Sequence, residues 1–160
     1  MATIELIQPQ HDLAIATIVR DVLAEFGAVG AGYACADPHL ASLSQFYQGA
    51  DRSYWVALDD NGEVLGGAGI GPLDGTEQLC ELQKMYLLGA GRGQGLGQQL
   101  MTQCLTFARQ RYQQCYLETL AHMDSAQKLY RRNGFVRLNA PLGMTGHSNC
   151  DTWYLCELGQ

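Results

Sequence analysis

Residues 81–97 run ELQKMYLLGAGRGQGLG. The first part is strand-like. Arg92-Gly93-Gln94-Gly95-Leu96-Gly97 then turns into an amphipathic helix with Leu96, Leu100, Cys104, Phe107 and Ala108 on one face. Glycines at such a turn let backbone N–H groups approach a phosphate, and the helix N-terminus adds roughly half a positive charge. Spacing separates three phosphate-binding readings. A Walker loop requires a glycine followed by lysine, a pair this sequence lacks. A dinucleotide fingerprint, G-x-G-x-x-G, started at Gly89, Gly91, Gly93 or Gly95 would end on Gln94, Leu96, Gln98 or Leu100. Arg92, Gly95 and Gly97 satisfy R-x-x-G-x-G instead.

Working outward toward the N-terminus, residues 77–88 form the strand entering this loop, and 53–59 and 63–70 form a hairpin turned by Asp60-Asn61-Gly62. Gly66, Gly67, Gly69 and Gly71 mark either a bulge or close approach of another group, or a flexible strand end. A strand at 3–8 precedes a helix at 10–26 carrying Leu13, Ile15, Ile18, Val19, Val22, Leu23 and Phe26, stopped by Gly27. After a loop at 28–36, Asp37-Pro38 opens a short helix reaching about residue 48. Toward the C-terminus come a strand at 115–120, a helix at 123–133 stopped by Gly134, and strands at 135–138 and 152–158. Asp124 and Gln127 suit a capping box for that helix. The order βαα-βββ-αβ-αββ is α/β of the α+β kind.

The chain of 160 residues fits one domain, 1–160, with a sizeable core. A net charge of −6 with only two lysines, Lys84 and Lys128, excludes the basic face that nucleic acid needs. No apolar run approaches the roughly 20 residues of a membrane span, and the first residues lack signal-peptide features, so a cytoplasmic protein without membrane partners is expected. Six cysteines with no C-x-x-C pair are expected to be buried thiols. His147, Cys150 and Asp151 fall short of a four-ligand zinc set, so no metal is expected.

The stretch 81–97 resembles the acyl-CoA pyrophosphate motif of the GNAT superfamily of N-acetyltransferases. Leu117-Glu118-Thr119, followed by Ala126, Leu129, Tyr130, Gly134 and Phe135, resembles that superfamily's next strand and helix, A-x-x-L-Y-x-x-x-G-F. The likeness covers about residues 81–138, and the tail resembles uncharacterised bacterial members. It implies a mixed, mostly antiparallel central sheet, splayed at the acyl-CoA site and flanked by helices. The implied activity moves the acetyl group of acetyl-CoA to a primary amine of a small molecule or amino acid, by direct attack in a ternary complex and without metal. Protein or peptide N-acetylation and a non-catalytic acyl-CoA-binding module remain as alternatives.

Residue by residue, the resemblance implies that Arg92, Gly93, Gln94, Gly95, Leu96 and Gly97 offer N–H groups to the CoA pyrophosphate. Met85, Tyr86 and Leu87 would pair their backbone with pantetheine, the Leu87 N–H facing the thioester carbonyl. Arg132 is either a contact to the CoA phosphates or a solvated helix charge. Taken alone, Glu81 is an ordinary strand carboxylate and Tyr130 a core aromatic; the resemblance makes them general base and general acid. Many relatives place an asparagine where this chain has Met123, so that contact is not carried over.

The base matters most for alkylamines. An amine of pKa about 10.4 is neutral in roughly one molecule of 2,500 at pH 7, a barrier of about 4.6 kcal/mol, whereas an α-amine near 7.8 is neutral about one time in seven. A thiol near pKa 8.5 leaves with less help, and a tyrosine near 10 donates to it uphill by roughly 2 kcal/mol. The acceptor side falls to residues 30–48 and the loop 139–151. His147 in that loop is expected as an exposed loop histidine, with a titratable role over a ligand as the alternative. Trp153, Tyr154 and Leu155 offer a strand for pairing with a second subunit, and homodimer and monomer both stay open.

Overall fold

The computed structural model describes residues 1–159. Seven strands form one sheet: β1 (Thr3–Leu6), β2 (Ser53–Leu58), β3 (Val64–Pro72), β4 (Leu79–Leu87), β5 (Gln114–Thr119), β6 (Val136–Leu138) and β7 (Thr152–Glu157). Their order is β1-β2-β3-β4-β5-β7-β6, antiparallel throughout except for the β4–β5 pair. This is the mixed, mostly antiparallel sheet that the resemblance implies.

Helices cover both faces. In β2 the period-two alternation sends Trp55 and Ala57 into the core beneath α3 (Leu96–Arg109), and Tyr54, Val56 and Leu58 into the core beneath α1 (Asp12–Glu25). With both sides covered, β2 is buried along its whole length. The start of α1 lies later than its apolar pattern suggests, since Pro9–His11 forms a separate 3-10 turn and Leu13 is 79% exposed. The helix expected over 37–48 is broken into a 3-10 turn, Leu40–Ser42, and the single turn α2 (Leu43–Phe46). Asp37 does not cap it because its carboxylate is held elsewhere, by Lys84 and His147.

Two irregularities shape the middle of the sheet. The β3–β4 register shifts between Gly67 and Gly69, opposite Lys84, whose φ of 48° is left-handed. A Cβ on Gly67 or Gly69 would lie 2.5 Å from the Tyr54 ring, so these glycines make room for that ring. The Tyr54 hydroxyl in turn donates to the Lys84 carbonyl at 2.7 Å and ties down the bulge. The glycine-rich strand is therefore the bulge and close approach, not a flexible end.

The second irregularity is a split. β4 pairs with β5 only over Leu79, Cys80 and Glu81, against Gln114, Cys115 and Tyr116. Beyond that point residues 82–87 and 117–119 diverge, and the β5-facing edge of β4 has no strand beside it. β7 occupies the interior between β5 and β6, and β6 pairs with Trp153, Tyr154 and Leu155. Those three residues therefore cannot pair with a second subunit as expected, because β6 has already taken their edge.

The last helix, α4 (Asp124–Arg132), is capped differently from the expectation. No side chain caps it; the Gln127 amide donates to the Leu120 and Ala121 carbonyls, and its oxygen accepts from the Tyr154 hydroxyl. At its C-terminus Gly134, φ 91°, lets the Phe135 N–H reach the Tyr130 carbonyl at 3.1 Å. The Gly134-Phe135 pair thus fixes the helix turn that carries Tyr130.

Candidate active site

The split opens a cleft of about 630 Å³, lined by β4, β5, the glycine loop, α4 and the loop 139–151. Its lining includes Glu81, Met85, Tyr86, Leu87, Arg92, Gly93, Gly95, Gly97, Tyr130 and Arg132. Of the residues singled out in the sequence, Gln94 and Leu96 lie outside the lining: the Gln94 amide donates to the Ala90 carbonyl, and the Leu96 side chain is in the core.

At the glycine-loop end the surface is backbone. Gly93 and Gly95 have φ of 76° and 78°, and open space surrounds the position of a Cβ on either. The Gln99 N–H bonds the Gly95 carbonyl at 3.1 Å, so the N–H groups of Leu96, Gly97 and Gln98 precede the first intrahelical bond of α3. Such a terminus fits an anion. Arg92 is held back from it: its N–H donates to the Gly89 carbonyl, and its guanidinium bonds the Leu87 carbonyl at 3.0 Å and the Glu25 carboxylate at 3.2 and 3.3 Å.

Along β4, the Leu88 N–H donates to the Leu65 carbonyl. Alternation then points the Leu87 N–H to the opposite side, into the split. An extended ligand could add there as a strand.

At the point of divergence sits Glu81, 6% exposed. Burial pushes its carboxyl up to about 7, against the hydrogen bond from Gln83 and the charge of His147. The Gln83 amide holds one carboxylate oxygen at 2.9 Å, and the Tyr47 hydroxyl holds the Gln83 oxygen at 2.6 Å. Tyr130 lines the same cleft from α4; burial raises its hydroxyl above the usual tyrosine range, opposed by a hydrogen bond with Thr119. A high pKa keeps that hydroxyl protonated and able to donate.

A second set of side chains meets Glu81 from elsewhere in the chain. His147 is not an exposed loop histidine: its side chain is 16% exposed, and Nε2 lies 2.9 Å from Asp37 Oδ1. Lys84 Nζ holds the other Asp37 oxygen at 2.5 Å. His147 Nδ1 lies 3.9 Å from Glu118 Oε1, and Glu81, Glu118 and His147 each bring one polar atom within 4.8 Å of the others. These atoms already belong to a hydrogen-bonded network, since Glu118 accepts from the Thr145 and Tyr116 hydroxyls. Asp151 stays apart from it, bonding the Ala121 N–H and the Thr152 hydroxyl, whereas Cys150 lines the same cleft. The sequence offered a titratable role for His147 only as the alternative to an exposed loop histidine, and Asp37 only as the start of a helix. One signal was available: Lys84 is one of two lysines and lies within a strand, between Leu82 and Met85, and a lysine buried there demands a carboxylate. All six cysteines are free thiols, four of them buried and Cys35 and Cys150 half-buried.

Comparison with known proteins follows this geometry. The family model of the acetyltransferase (GNAT) domain matches residues 50–137. The uncharacterized N-acetyltransferase YjgM of Escherichia coli K12 is 45% identical over 93% of this chain and 90% of its own length. The crystal structure of a GNAT-family acetyltransferase from Staphylococcus aureus Mu50 superimposes with a TM-score of 0.87 at 18% identity, covering 99% of this chain and 100% of that one. YncA of Salmonella typhimurium, solved with its cofactor acetyl-CoA, gives 0.76 at 19% identity over 100% of this chain and 95% of that one. At those identities the two structures establish the fold.

Proposed function

The chain belongs to the GNAT family of acetyltransferases, and from that premise we propose that residues 1–160 act as one acetyl-CoA-dependent unit that acetylates the primary amine of a small molecule. The observation that carries this reading is the split between β4 and β5, with the buried Glu81 at its apex and Tyr130 on its wall. Acetyl-CoA as donor is supported by the open left-handed glycines at the start of α3, and by the YncA structure, which contains it.

In this reading residues 93–97 hold the pyrophosphate and the free edge of β4 holds pantetheine, placing the acetyl thioester in the split. The Leu87 N–H is the donor to the thioester carbonyl oxygen as charge develops there. Glu81 accepts the proton of the acceptor ammonium, directly or through water; a base near 7 is matched to work at neutral pH. The neutral amine forms the C–N bond, the C–S bond breaks as Tyr130 gives its proton to the departing sulfur, and the second proton that the nitrogen loses on becoming an amide returns to the Tyr130 oxygen. Arg92, whose guanidinium is engaged by Glu25 and Leu87, braces the loop.

A small acceptor is favoured over a polypeptide because residues 139–151 are strapped across to the loop after α1. Besides His147–Asp37, the Asn149 amide donates to the Ala31 carbonyl at 2.9 Å and its N–H to the Gly32 carbonyl at 3.2 Å. Incubation of the full chain with acetyl-CoA and panels of primary amines and peptides, followed by thiol release, tests the reading. Turnover with small amines is expected. Turnover confined to peptides would overturn the acceptor assignment, and tight CoA binding with no turnover would make the chain a binding module.

A further inference from the structure

Among the side chains that meet Glu81 from outside its own strand, His147 is one that carries positive charge. We propose that His147, held in place by Asp37, is a positioning residue that keeps Glu81 ionised, so that the loop 139–151 completes the proton-accepting end of the site. The inference rests on Glu81 being the base of the proposed reaction.

A carboxylate that is 6% exposed loses most of its hydration and favours its neutral form. Only a nearby positive charge or hydrogen-bond donors can restore the anion that a base must be. Gln83 supplies one donor. The titratable and charged groups around Glu81 are few. From β4 comes Lys84, paired with Asp37 at 2.5 Å, whose charge favours the Glu81 anion less than that of His147 does. From β5 come Glu118, which disfavours a second anion, and Tyr116, whose hydroxyl burial and the Glu118 bond hold protonated. From the segment after α2 comes Tyr47, raised by burial and neutral. From the loop 139–151 come Cys150, pushed up to about 12 by burial and therefore an uncharged thiol, and His147.

His147 shares Asp37 with Lys84, but it brings a ring nitrogen within 4.8 Å of a Glu81 oxygen, and its surroundings favour the charged ring. Burial opposes the charge, but the Asp37 hydrogen bond and charge, with Glu81 itself, outweigh burial and Lys84, and the ring's pKa is raised. Glu118 lies 3.9 Å from its other nitrogen. His39, the remaining histidine near this network, is lowered by burial and by Lys84, and stays neutral. The geometry therefore makes one loop side chain the source of the charge that opposes the desolvation of the base. An opposite charge within about 4–6 Å moves a carboxyl by about 1–3 pK units.

The test needs no acceptor. The full chain is labelled with 13C at the glutamate carboxyls, the Glu81 signal is assigned by its loss in Glu81→Gln, and the signal is titrated from pH 5 to 9. In His147→Gln the Glu81 midpoint is expected to rise by about one unit or more, and His147→Lys should bring it back toward the wild-type value. Asp37→Asn, which removes the partner of the charged ring without altering the loop, should lower the His147 midpoint. Reciprocity gives a check in a variant of unchanged shape: Glu81→Gln should lower the His147 midpoint, read from its ring nitrogens. A Glu81 midpoint that stays put in His147→Gln, or a His147 midpoint unmoved in Glu81→Gln, overturns the proposal. Should either loop variant fail to fold, the Glu81→Gln reading decides. Acetyl transfer to the amine panel separates the two layers. If Glu81→Gln retains full turnover, the assignment of the base falls; if turnover is lost while the midpoints are independent, only the role of His147 falls.

Discussion

In the proposed reading, the groups that face a ligand at the donor end of the cleft are backbone atoms of the short stretch around Gly93, Gly95 and Gly97. At the proposed acceptor end they are side chains of Asp37, Glu81, Lys84, Glu118 and His147, and the Asp37–His147 pair spans 110 positions of sequence. The first end works through left-handed glycines and a helix terminus, so its chemistry is nearly independent of side chains. The second works through buried charge, where each group sets the state of the next. Substitutions should therefore act locally and modestly at the donor end, and strongly at the acceptor end.

The sharpest break in that contrast is Glu81→Gln. The acetyl-transfer kcat is expected to fall by about a hundredfold or more, the usual worth of a positioned base, with the affinity for CoA by calorimetry unchanged. The same variant should be more stable than the wild type in mildly alkaline solution. The folded carboxyl titrates near 7 against an ordinary 4.5, so the folded state holds a proton that the unfolded state has lost, and stability falls as pH rises between those values. Thermal unfolding should find the Gln variant ahead by up to about 3 kcal/mol at pH 8 and level with the wild type near pH 4.5. Equal stability at both pH values would remove the buried, strained base from the acceptor end.

Tyr130→Phe is the next step down. Its hydroxyl is raised by burial and faces the cleft, and its loss should cost about ten- to a hundredfold in kcat while CoA binding holds. An unchanged steady-state rate would return Tyr130 to the core, where its contacts with Phe135 and Tyr154 already give it a packing role.

The same contrast explains what the sequence made legible. The element order, the glycine loop and the A-x-x-L-Y-x-x-x-G-F helix rest on local chemistry: periodicity, left-handed glycines and a C-cap that links Phe135 to Tyr130. Local chemistry is written in neighbouring residues. The capping box failed because Gln127 found carbonyls and a tyrosine from other segments, and the helix at 37–48 broke because Asp37 was recruited by Lys84 and His147. His147 itself was placed by tertiary pairing that no spacing encodes. Glu81 and Lys84, three positions apart on β4, were the local traces of that network.

Gly95→Ala probes the donor end alone. Nothing crowds a Cβ there, so the cost is confined to holding a φ of 78° with a side chain, about 1–2 kcal/mol. CoA affinity should weaken by about tenfold, with the Glu81-dependent pH profile of kcat intact. A change in that profile would mean the two ends are coupled.

Glu25→Gln should do least. The Arg92–Glu25 pair is the conspicuous ion pair of the glycine loop, yet its partners are 42% and 46% exposed and water screens them. Exposed pairs contribute about 0–1 kcal/mol. Arg92 also keeps its bond to the Leu87 carbonyl, which does not depend on Glu25. CoA affinity is therefore expected to change by less than about threefold, and less again as salt is added. A larger loss would show that the donor end, too, depends on a side-chain charge brought from a distant helix, and the distinction between the two ends would narrow to one of degree.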